Sequence, residues 1–446
     1  MLSAKNVLRS VLCMSVVAIM LMLMACGGTS DESSTTGTND RAATPDSTGV
    51  TDTEIKLGTH FPLSQNPAAA YAPIAYGIKA FFDYINAQGG IYGRKINFII
   101  GDDHYNPADT VEVVRQLVEG DKVFAVVGGL GEETHSAVWK YLEEKGVPDM
   151  FVTTGLDKWT NPVARTRFAG NPDYMTEGSI LGQYIVKNYP NAKVGLLRQS
   201  DEMGQEGETG LRNGIQGSDV EITAVENYDV IQSDVTAQTQ RLKNANVDVL
   251  IAYAIPPQAA SMVKAVRGTL NWDVPILVSG INCSDIFILL AGAEHAEGIV
   301  SVVFGPQVYQ TDHPAVQKYQ KIWEKFGTGE AFSNFAMYGM SDGEMMVHLL
   351  ERAGPDLTRG SFLDAAESEC GFWCSGCVGI GPQSMSPTDH RAIEDEMYTQ
   401  VQDGKWVAIG EPVGFESTPN CTPMTPPEGF DQQPKVGMDA PYVETP

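Results

Sequence analysis

Short runs of β-branched and other apolar residues alternate with amphipathic segments from Glu54 onward, and this alternation limits the possible folds more than any other feature. Strand-like EIKLGTHF (54–61) is followed by helix-like IAYGIKAFFDYINAQ (74–88), and KINFIIGDD (95–103) begins the next repeat. Apolar strands that alternate with helices are typical of βα units on a parallel sheet covered on both faces. The sequence therefore predicts an α/β protein.

The alternation restarts after Asn171, with strand-like AKVGLLRQS, EITAVENYD, VDVLIAYA and PILVSG. Two sets of βα units predict two doubly wound, Rossmann-like lobes. The later chain contains a further strand, three helix candidates and a hairpin with an Asp-Gly turn. These segments are EGIVSVVFG (297–305), 314–326, 334–353, 359–369 and MYTQVQDGKWVAIG (397–410).

The first 25 residues have the pattern of an export signal. Lys5 and Arg9 flank the start of an apolar run, VLCMSVVAIMLMLMA, which is too short to be a membrane-spanning helix. The following LMAC resembles the lipobox of bacterial lipoproteins, which implies cleavage before Cys26 and a lipid on its sulfur. We expect export and lipid anchoring at the bacterial cell membrane. An ordinary cleavage site near Cys26 is the alternative.

Residues 26–50 are small and polar, which predicts a disordered tether, and the Pro-rich residues 416–446 predict an irregular tail. The formal net charge of −26 argues against a nucleic-acid partner, because phosphate neutralisation needs clustered Lys and Arg.

Residues 89–131, GGIYGRKINFIIGDDHYNPADTVEVVRQLVEGDKVFAVVGGLG, resemble the first lobe of the substrate-binding proteins of branched-chain-amino-acid-type ABC transporters. TDTEIKLGTHFPLS, AGAEHAEGIV and MYGMSDGEMMVHLLERAGPDLTRGSFLDA extend the resemblance in order over residues 50–410. It implies a type I periplasmic-binding-protein fold, a Venus flytrap whose lobes are joined by three hinge crossings. We expect lobe I at 51–170 plus 299–385, and lobe II at 171–298 plus 386–415.

The resemblance also implies where a ligand binds. In this family the loops after VFAVVGG and DMFVTT present small residues and backbone amides to the ligand. By position these are Glu132 and Thr134 in the first loop, and Thr153, Thr154 and Gly155 in the second, with Thr134 and Thr154 the strongest candidates.

Two positions depart from the family pattern. Glu132 stands where Ser or Thr is common and would compete with a ligand carboxylate, unless its side chain turns away toward the helix dipole. The loop after PILVSG contains Asn282 but no acid before Asp285, so an ammonium group would lack its usual partner there. A branched-chain amino acid is therefore in doubt, and an amide, an aromatic or carboxylic acid, or another small polar compound is an alternative.

Aromatic side chains are the further candidates for the cleft walls, since rings commonly line ligand pockets. They are Tyr71, Tyr174, Tyr253, Phe304 and Tyr338.

The segment ECGFWCSGC holds three cysteines whose role depends on the compartment. Outside the cytoplasm we expect disulfides, with Cys283 as the unpaired thiol. A four-thiolate zinc site and redox chemistry are the alternatives. The candidate disulfide cysteines are Cys370, Cys374, Cys377 and Cys421.

The sequence favours a binding protein over an enzyme, since it contains no G-x-S-x-G, HExxH, Walker A or strand-linked G-x-G-x-x-G motif. The acidic pair Asp102-Asp103 is interpreted as strand-end capping, with metal ligation or acid–base catalysis as the alternative. We expect no cofactor and no metal. The predicted function is a monomeric, lipid-anchored receptor that delivers a small molecule to ABC permease subunits. A sensor of the same fold that signals to a membrane protein is the alternative.

Overall fold

Two sheets form the framework of the computed structural model, which describes residues 46–372, 383–393 and 395–414. The strands are β1 Glu54–Phe61, β2 Lys95–Asp102, β3 Ala125–Val127, β4 Asp149–Val152, β5 Arg167–Ala169, β6 Lys193–Gln199, β7 Glu221–Tyr228, β8 Val249–Tyr253, β9 Ile276–Val278, β10 Val300–Val303, β11 Cys370–Phe372, β12 Gln383–Ser384, β13 Asp395–Gln402, β14 Lys405–Ala408 and β15 Val413–Gly414.

The first sheet is parallel, in the order β2-β1-β3-β4-β5. The second sheet has the parallel order β7-β6-β8-β9-β10 and continues through the antiparallel strands β13 and β14, with β15 also paired to β13. In both sheets the strand order reverses at one point, beside β1 and β6. The carboxyl edge of a parallel sheet at such a point is the usual ligand position in open α/β folds.

Helices cover both sheets, as the prediction of doubly wound lobes requires. They are α1 Ala72–Ala87, α2 Pro107–Arg115, α3 Glu132–Ser136, α4 Trp139–Glu144, α5 Tyr174–Asn188, α6 Glu202–Gly214, α7 Thr236–Asn244, α8 Pro256–Lys264, α9 Asp285–Ala291, α10 Ala293–Ala296, α11 Pro314–Phe326, α12 Asn334–Ala353 and α13 Arg359–Glu367. Within the described part of the chain, no helix combines the length and the hydropathy needed to cross a membrane.

The α/β architecture is confirmed, but the predicted boundary at 298/299 is wrong. Strand β10 was assigned to lobe I, yet it pairs with β9 on one side and with β13 on the other, so it belongs to the second sheet. The chain therefore crosses between the lobes after Val303. The third crossing is also later than expected, because Arg391 still pairs with Ala169 beside the first sheet.

The predicted hairpin is confirmed, since β13 and β14 pair in antiparallel register around Asp403 and Gly404. Both turn residues have positive φ, 51° and 70°, as an Asp-Gly hairpin turn requires. Residues 1–45, 415–446 and the predicted cysteines Cys26, Cys374, Cys377 and Cys421 lie outside the described residues. The predictions for these segments remain predictions.

Helices α1 and α12 of lobe I touch through their backbones. A Cβ on Gly339 would lie 1.9 Å from the Ile74 carbonyl oxygen, and one on Gly77 would lie 2.2 Å from that of Ala336. Both glycines therefore allow an approach that no other residue permits, and this contact supports the largest apolar core of the lobe.

We expect Gly339→Ala to lower the free energy of unfolding by about 1–3 kcal/mol, because the added methyl meets backbone that cannot move independently. Urea unfolding of the purified protein measures this change. Gly268→Ala is the matched control, because its Cβ would meet only His295 Nε2 at 3.5 Å. That control should be neutral or gain up to about 1 kcal/mol from helix propensity. Equal stability of the two variants would contradict the close approach.

Candidate functional site

A cavity of about 130 Å³ lies where the carboxyl edges of the two sheets face each other. A water molecule needs roughly 10–15 Å³ by the same measure, so the cavity accommodates a molecule of about ten non-hydrogen atoms. The residues that line it are Tyr71, Ile74, Tyr105, Leu130, Gly131, Glu132, Thr153, Asn171, Tyr174, Ile255, Gly280, Ile281, Cys283, Ser284, Val303, Phe304, Gly305, Pro306, Gln307, Asn334, Phe335, Met337, Tyr338, Ser341 and Ile393.

Most of these residues follow directly after a parallel strand. Tyr105 comes after β2, Glu132 after β3 and Thr153 after β4, while lobe II contributes Ile255 after β8 and the loop 280–284 after β9. Parallel strands all end at the same edge of their sheet, so residues that are distant in sequence meet there.

Glu132 is the polar centre of the lobe I wall. Its side chain points toward other groups of the cleft, and three hydroxyls donate hydrogen bonds to the carboxylate. Thr154 Oγ1 and the Tyr174 hydroxyl lie 2.9 Å and 2.8 Å from Oε1, and the Tyr105 hydroxyl lies 3.0 Å from Oε2. Because Tyr174 begins α5 of lobe II, one of these bonds joins the two lobes. The alternative in which the Glu132 side chain turns away from the cleft is therefore wrong.

The two tyrosine hydroxyls that donate to Glu132 are neutral. Burial raises the pKa of Tyr105 and Tyr174 well above the usual range, and the Glu132 charge raises both further. Tyr71, also on the wall, has its pKa raised by the same two causes. The cavity thus presents neutral phenols around one carboxylate.

A chain of buried ionisable side chains fixes α3, which carries Glu132. His60 Nδ1 lies 2.8 Å from Asp103 Oδ2, His60 Nε2 lies 3.0 Å from His135 Nδ1, and His135 Nε2 lies 2.8 Å from Asp149 Oδ2. Asp103, His60, His135 and Asp149 thus form one continuous buried chain, and burial lowers the pKa of His135. The chain ties α3 to β1, to β4 and to the loop after β2.

Asp102 and Asp103 accept hydrogen bonds from the loops beside the end of β2, as the interpretation as strand-end capping predicts. Asp102 accepts hydrogen bonds from the backbone N–H groups of Leu63 and His104 and from the Ser64 hydroxyl. Among the residues that the structure describes, no group of three or more His, Cys, Asp or Glu is placed to hold a metal ion.

Two further contacts close the cleft. The Tyr338 hydroxyl donates to Asn171 Oδ1 at 2.6 Å and lies 3.1 Å from the Gly170 carbonyl oxygen, which ties α12 to the first crossing. Asn334 N donates to Asp285 Oδ1 at 3.2 Å, and Asp285 N lies 3.4 Å from Asn334 Oδ1. The second pair joins α12 of lobe I to α9 of lobe II across the cavity wall.

The structure brings six of the eleven predicted ligand-binding residues to the cavity. They are Tyr71, Glu132, Thr153, Tyr174, Phe304 and Tyr338. Five others do not line it, and each has a structural contact instead. These are Thr134, Thr154, Gly155, Tyr253 and Asn282.

Thr134, one of the two strongest candidates, is fully buried and donates to the Leu130 carbonyl oxygen at 2.5 Å. Thr154, the other strong candidate, does not line the cavity, but its hydroxyl donates a hydrogen bond to the Glu132 carboxylate. The Gly155 carbonyl accepts from Tyr174 N, and Asn282 Nδ2 donates to the Ala254 carbonyl oxygen at 2.8 Å. Tyr253 is fully buried under α5, with its hydroxyl 3.4 Å from the Tyr174 carbonyl oxygen.

The sequence reasoning missed several wall residues. Tyr105 directly follows the acidic strand end of β2, so the rule that ligands bind at strand carboxyl ends could have identified it. Asn334 and Phe335 begin α12, and no local signal marks them, because they reach the cavity only through packing between distant segments.

Two buried carboxylates lie behind the lobe II wall. Glu177 on α5 approaches Gly280, where a Cβ would lie 2.6 Å from Glu177 Oε2. Burial raises the pKa of Glu177 to about 7 and that of Glu396 well above its usual range. Within the described residues, Glu177 Oε1 and both Glu396 oxygens have no hydrogen-bond partner.

Among the cysteines, Cys370 is disulfide-bonded and Cys283 is a buried free thiol on the cavity wall. The partner of Cys370 lies outside the described residues. This bond removes Cys370 from the four-thiolate zinc alternative. Burial raises the pKa of the Cys283 thiol well above its usual value.

Two doubly wound lobes that enclose a cavity at their facing carboxyl edges define a two-lobed solute-binding protein. A family model described as periplasmic binding protein matches residues 54–405. The chain belongs to this family, whose members bind ligands without catalysis. The family resemblance and the type I fold predicted from the sequence are confirmed.

Part of the chain is similar to curated relatives, and solved structures share its fold. Leu/Ile/Val-binding protein homolog 2 of Brucella abortus (strain 2308) is 27% identical over 48% of this chain, and the match spans 58% of that relative. A branched chain amino acid ABC transporter protein from Thermus thermophilus with bound valine has a TM-score of 0.75 and 19% identity, over 82% of this chain and 98% of that one. A fatty acid ABC transporter substrate-binding protein from Thermomonospora curvata has a TM-score of 0.74 and 21% identity, over 83% and 95%.

We expect Glu177→Gln to stabilise the protein at pH 8 and to have little effect at pH 4.5. The raised pKa means that folded Glu177 retains a proton between about pH 4.5 and 7 that the unfolded chain releases. Stability therefore falls as pH rises through this window, by at most about 3 kcal/mol. Chemical unfolding of both proteins across this range measures the difference. Glu112→Gln, at an exposed site on α2, should show no such pH-dependent gain.

Proposed function

We propose that this protein is a lipid-anchored, extracytoplasmic substrate-binding protein of an ABC importer. It captures a small polar solute in the cleft and delivers the solute to a membrane permease. The observation that carries this proposal is the cavity between the lobes, which is built from both sheet edges and from all three crossings between the lobes. Closure of two such lobes around a solute gives the permease a distinct loaded form to recognise.

The cavity wall favours a narrower range of solutes than the names of the relatives suggest. Relatives carry names that refer to leucine, isoleucine and valine, whereas a structural neighbour is named for fatty acids. In this chain the carboxylate of Glu132 occupies the wall where a ligand carboxylate would need donors. This favours a solute with hydrogen-bond donors or positive charge over an anionic one.

Ligand binding should raise the melting temperature through mass action, by about 2.7 kcal/mol of stability at a concentration of 100 times Kd. The probes are amino acids, amides, amines and aromatic or aliphatic carboxylic acids, added to the purified protein. Ile281→Trp should abolish the response, because the indole fills the cavity that Ile281 lines. Leu289→Trp is the matched control, since Leu289 is 81% exposed, and it should respond like the natural protein.

No shift with any compound class, together with no change in radius of gyration by small-angle scattering, would contradict the receptor proposal. Retained binding in Ile281→Trp would instead contradict the placement of the ligand in this cavity.

The proposed anchor has a separate test. Cys26→Ala should move the protein from the membrane fraction to the soluble exported fraction, because the lipid would have no sulfur to attach to. Cell fractionation and mass spectrometry of the mature N-terminus measure this. An unchanged membrane fraction would rule out anchoring through Cys26.

A further inference from the structure

The charge on the cavity wall has one sign. Among the wall residues that the structure describes, Glu132 is the residue with a full charge, and no Lys, Arg or His is present. The remaining polar groups are phenols, hydroxyls, amides and the Cys283 thiol. A ligand carboxylate would find no basic side chain here, whereas a cation would find a fixed counter-charge.

Glu132 retains capacity for another donor. A carboxylate has roughly four acceptor positions. Thr154 and Tyr174 use Oε1, and Tyr105 uses one position of Oε2. These bonds come from neutral hydroxyls, so they solvate the negative charge without neutralising it. Glu132 is only 6% exposed, and a carboxylate at such a site is stabilised strongly when a positive group approaches.

Aromatic rings form much of the remaining wall. Tyr71 and Phe335 pack at a centroid distance of 4.9 Å, and Phe304 and Tyr338 pack edge to face at 5.9 Å. Tyr105 and Tyr174 add their rings beside Glu132. Ring faces attract ammonium groups, and the attraction is largest where water is excluded.

Lobe II places further negative charge near the cavity. Asp201, at the start of α6, interacts electrostatically with Glu132, and burial together with this charge raises the Asp201 pKa to about 6. The Asp201 and Glu132 carboxylates therefore repel each other, and a positive ligand beside Glu132 would offset this repulsion.

We propose that the cleft selects a small organic solute with a net positive charge, such as a primary or quaternary ammonium compound, whose cationic group contacts Glu132 and the adjacent rings. This rests on the proposed receptor function and narrows it. A zwitterionic or anionic solute of the same size is discriminated against, because its carboxylate would lie in a cavity of negative potential without a basic partner.

The experiment compares charged probes with uncharged compounds of matched shape by calorimetric titration of the purified protein at pH 7.5. Choline is paired with 3,3-dimethylbutan-1-ol, and benzylamine is paired with benzyl alcohol. Leucine and benzoate represent zwitterions and anions. We expect at least one ammonium probe to bind at least tenfold more tightly than its uncharged partner, leucine or benzoate.

Two single substitutions test whether the charge of Glu132, and not only the polarity of its side chain, causes the preference for ammonium compounds. Glu132→Gln should weaken ammonium binding at least tenfold and leave the affinity of the uncharged partner unchanged. The amide oxygen still accepts from Thr154 and Tyr174, and the amide NH2 can donate to the Tyr105 hydroxyl oxygen. Glu133→Gln removes the same charge from the next residue, which is exposed, and should change neither affinity. If Glu132→Gln does not fold, Glu132→Asp is the second variant. It keeps the charge but shortens the side chain by one methylene group, and it should weaken ammonium binding several-fold without changing the affinity of the uncharged partner.

The outcomes distinguish the two proposals. Tighter binding of leucine, benzoate or the uncharged partners overturns the cation selectivity and leaves the receptor function intact. Equal losses in Glu132→Gln and Glu133→Gln overturn the role of Glu132. Absence of binding by every class, together with no response in the wider compound panel, overturns the receptor function itself.

Discussion

Burial of the Glu132 carboxylate is the constraint on which the arrangement of the cleft depends. A carboxylate withdrawn from water requires donors, and here they come from Tyr105 after β2, Thr154 after β4 and Tyr174 at the start of α5. His135, on the same short helix, is held in turn between His60 and Asp149. The requirements of a few ionisable groups thus position several strand ends and join the two lobes.

The fold could be predicted because its signals are local. Helices α11 and α12 have the bounds predicted from their periodicity, and the Asp403-Gly404 turn formed where its φ preferences indicated. Strands β5, β11, β12 and β15 were not predicted. Each has two or three residues and lacks the longer apolar run that identified the equally short β3 and β9. The misplaced crossing has a different cause: β10 pairs with β13, almost a hundred residues later, and single-sequence patterns do not reveal such pairing.

The site was predictable in outline and not in detail. The family resemblance selected two loops that border the cavity, and Glu132 and Thr153 among their residues. It could not tell which side chains face the cavity, so Thr134 was chosen although its hydroxyl is bound within α3. The direction of Glu132 depends on hydroxyls from three separate segments. Such convergence is a property of the folded chain and has no counterpart in any short stretch of sequence.

The three passages of chain between the lobes all contribute to the cavity wall. Asn171 belongs to the first, residues 304–307 to the second and Ile393 to the third. Whatever fills the cavity therefore touches the segments that must flex when the lobes rotate. A solute in the cavity and a hinge motion of the lobes therefore involve the same three segments. No separate relay is needed to carry information from the solute to the outer surface of the lobes.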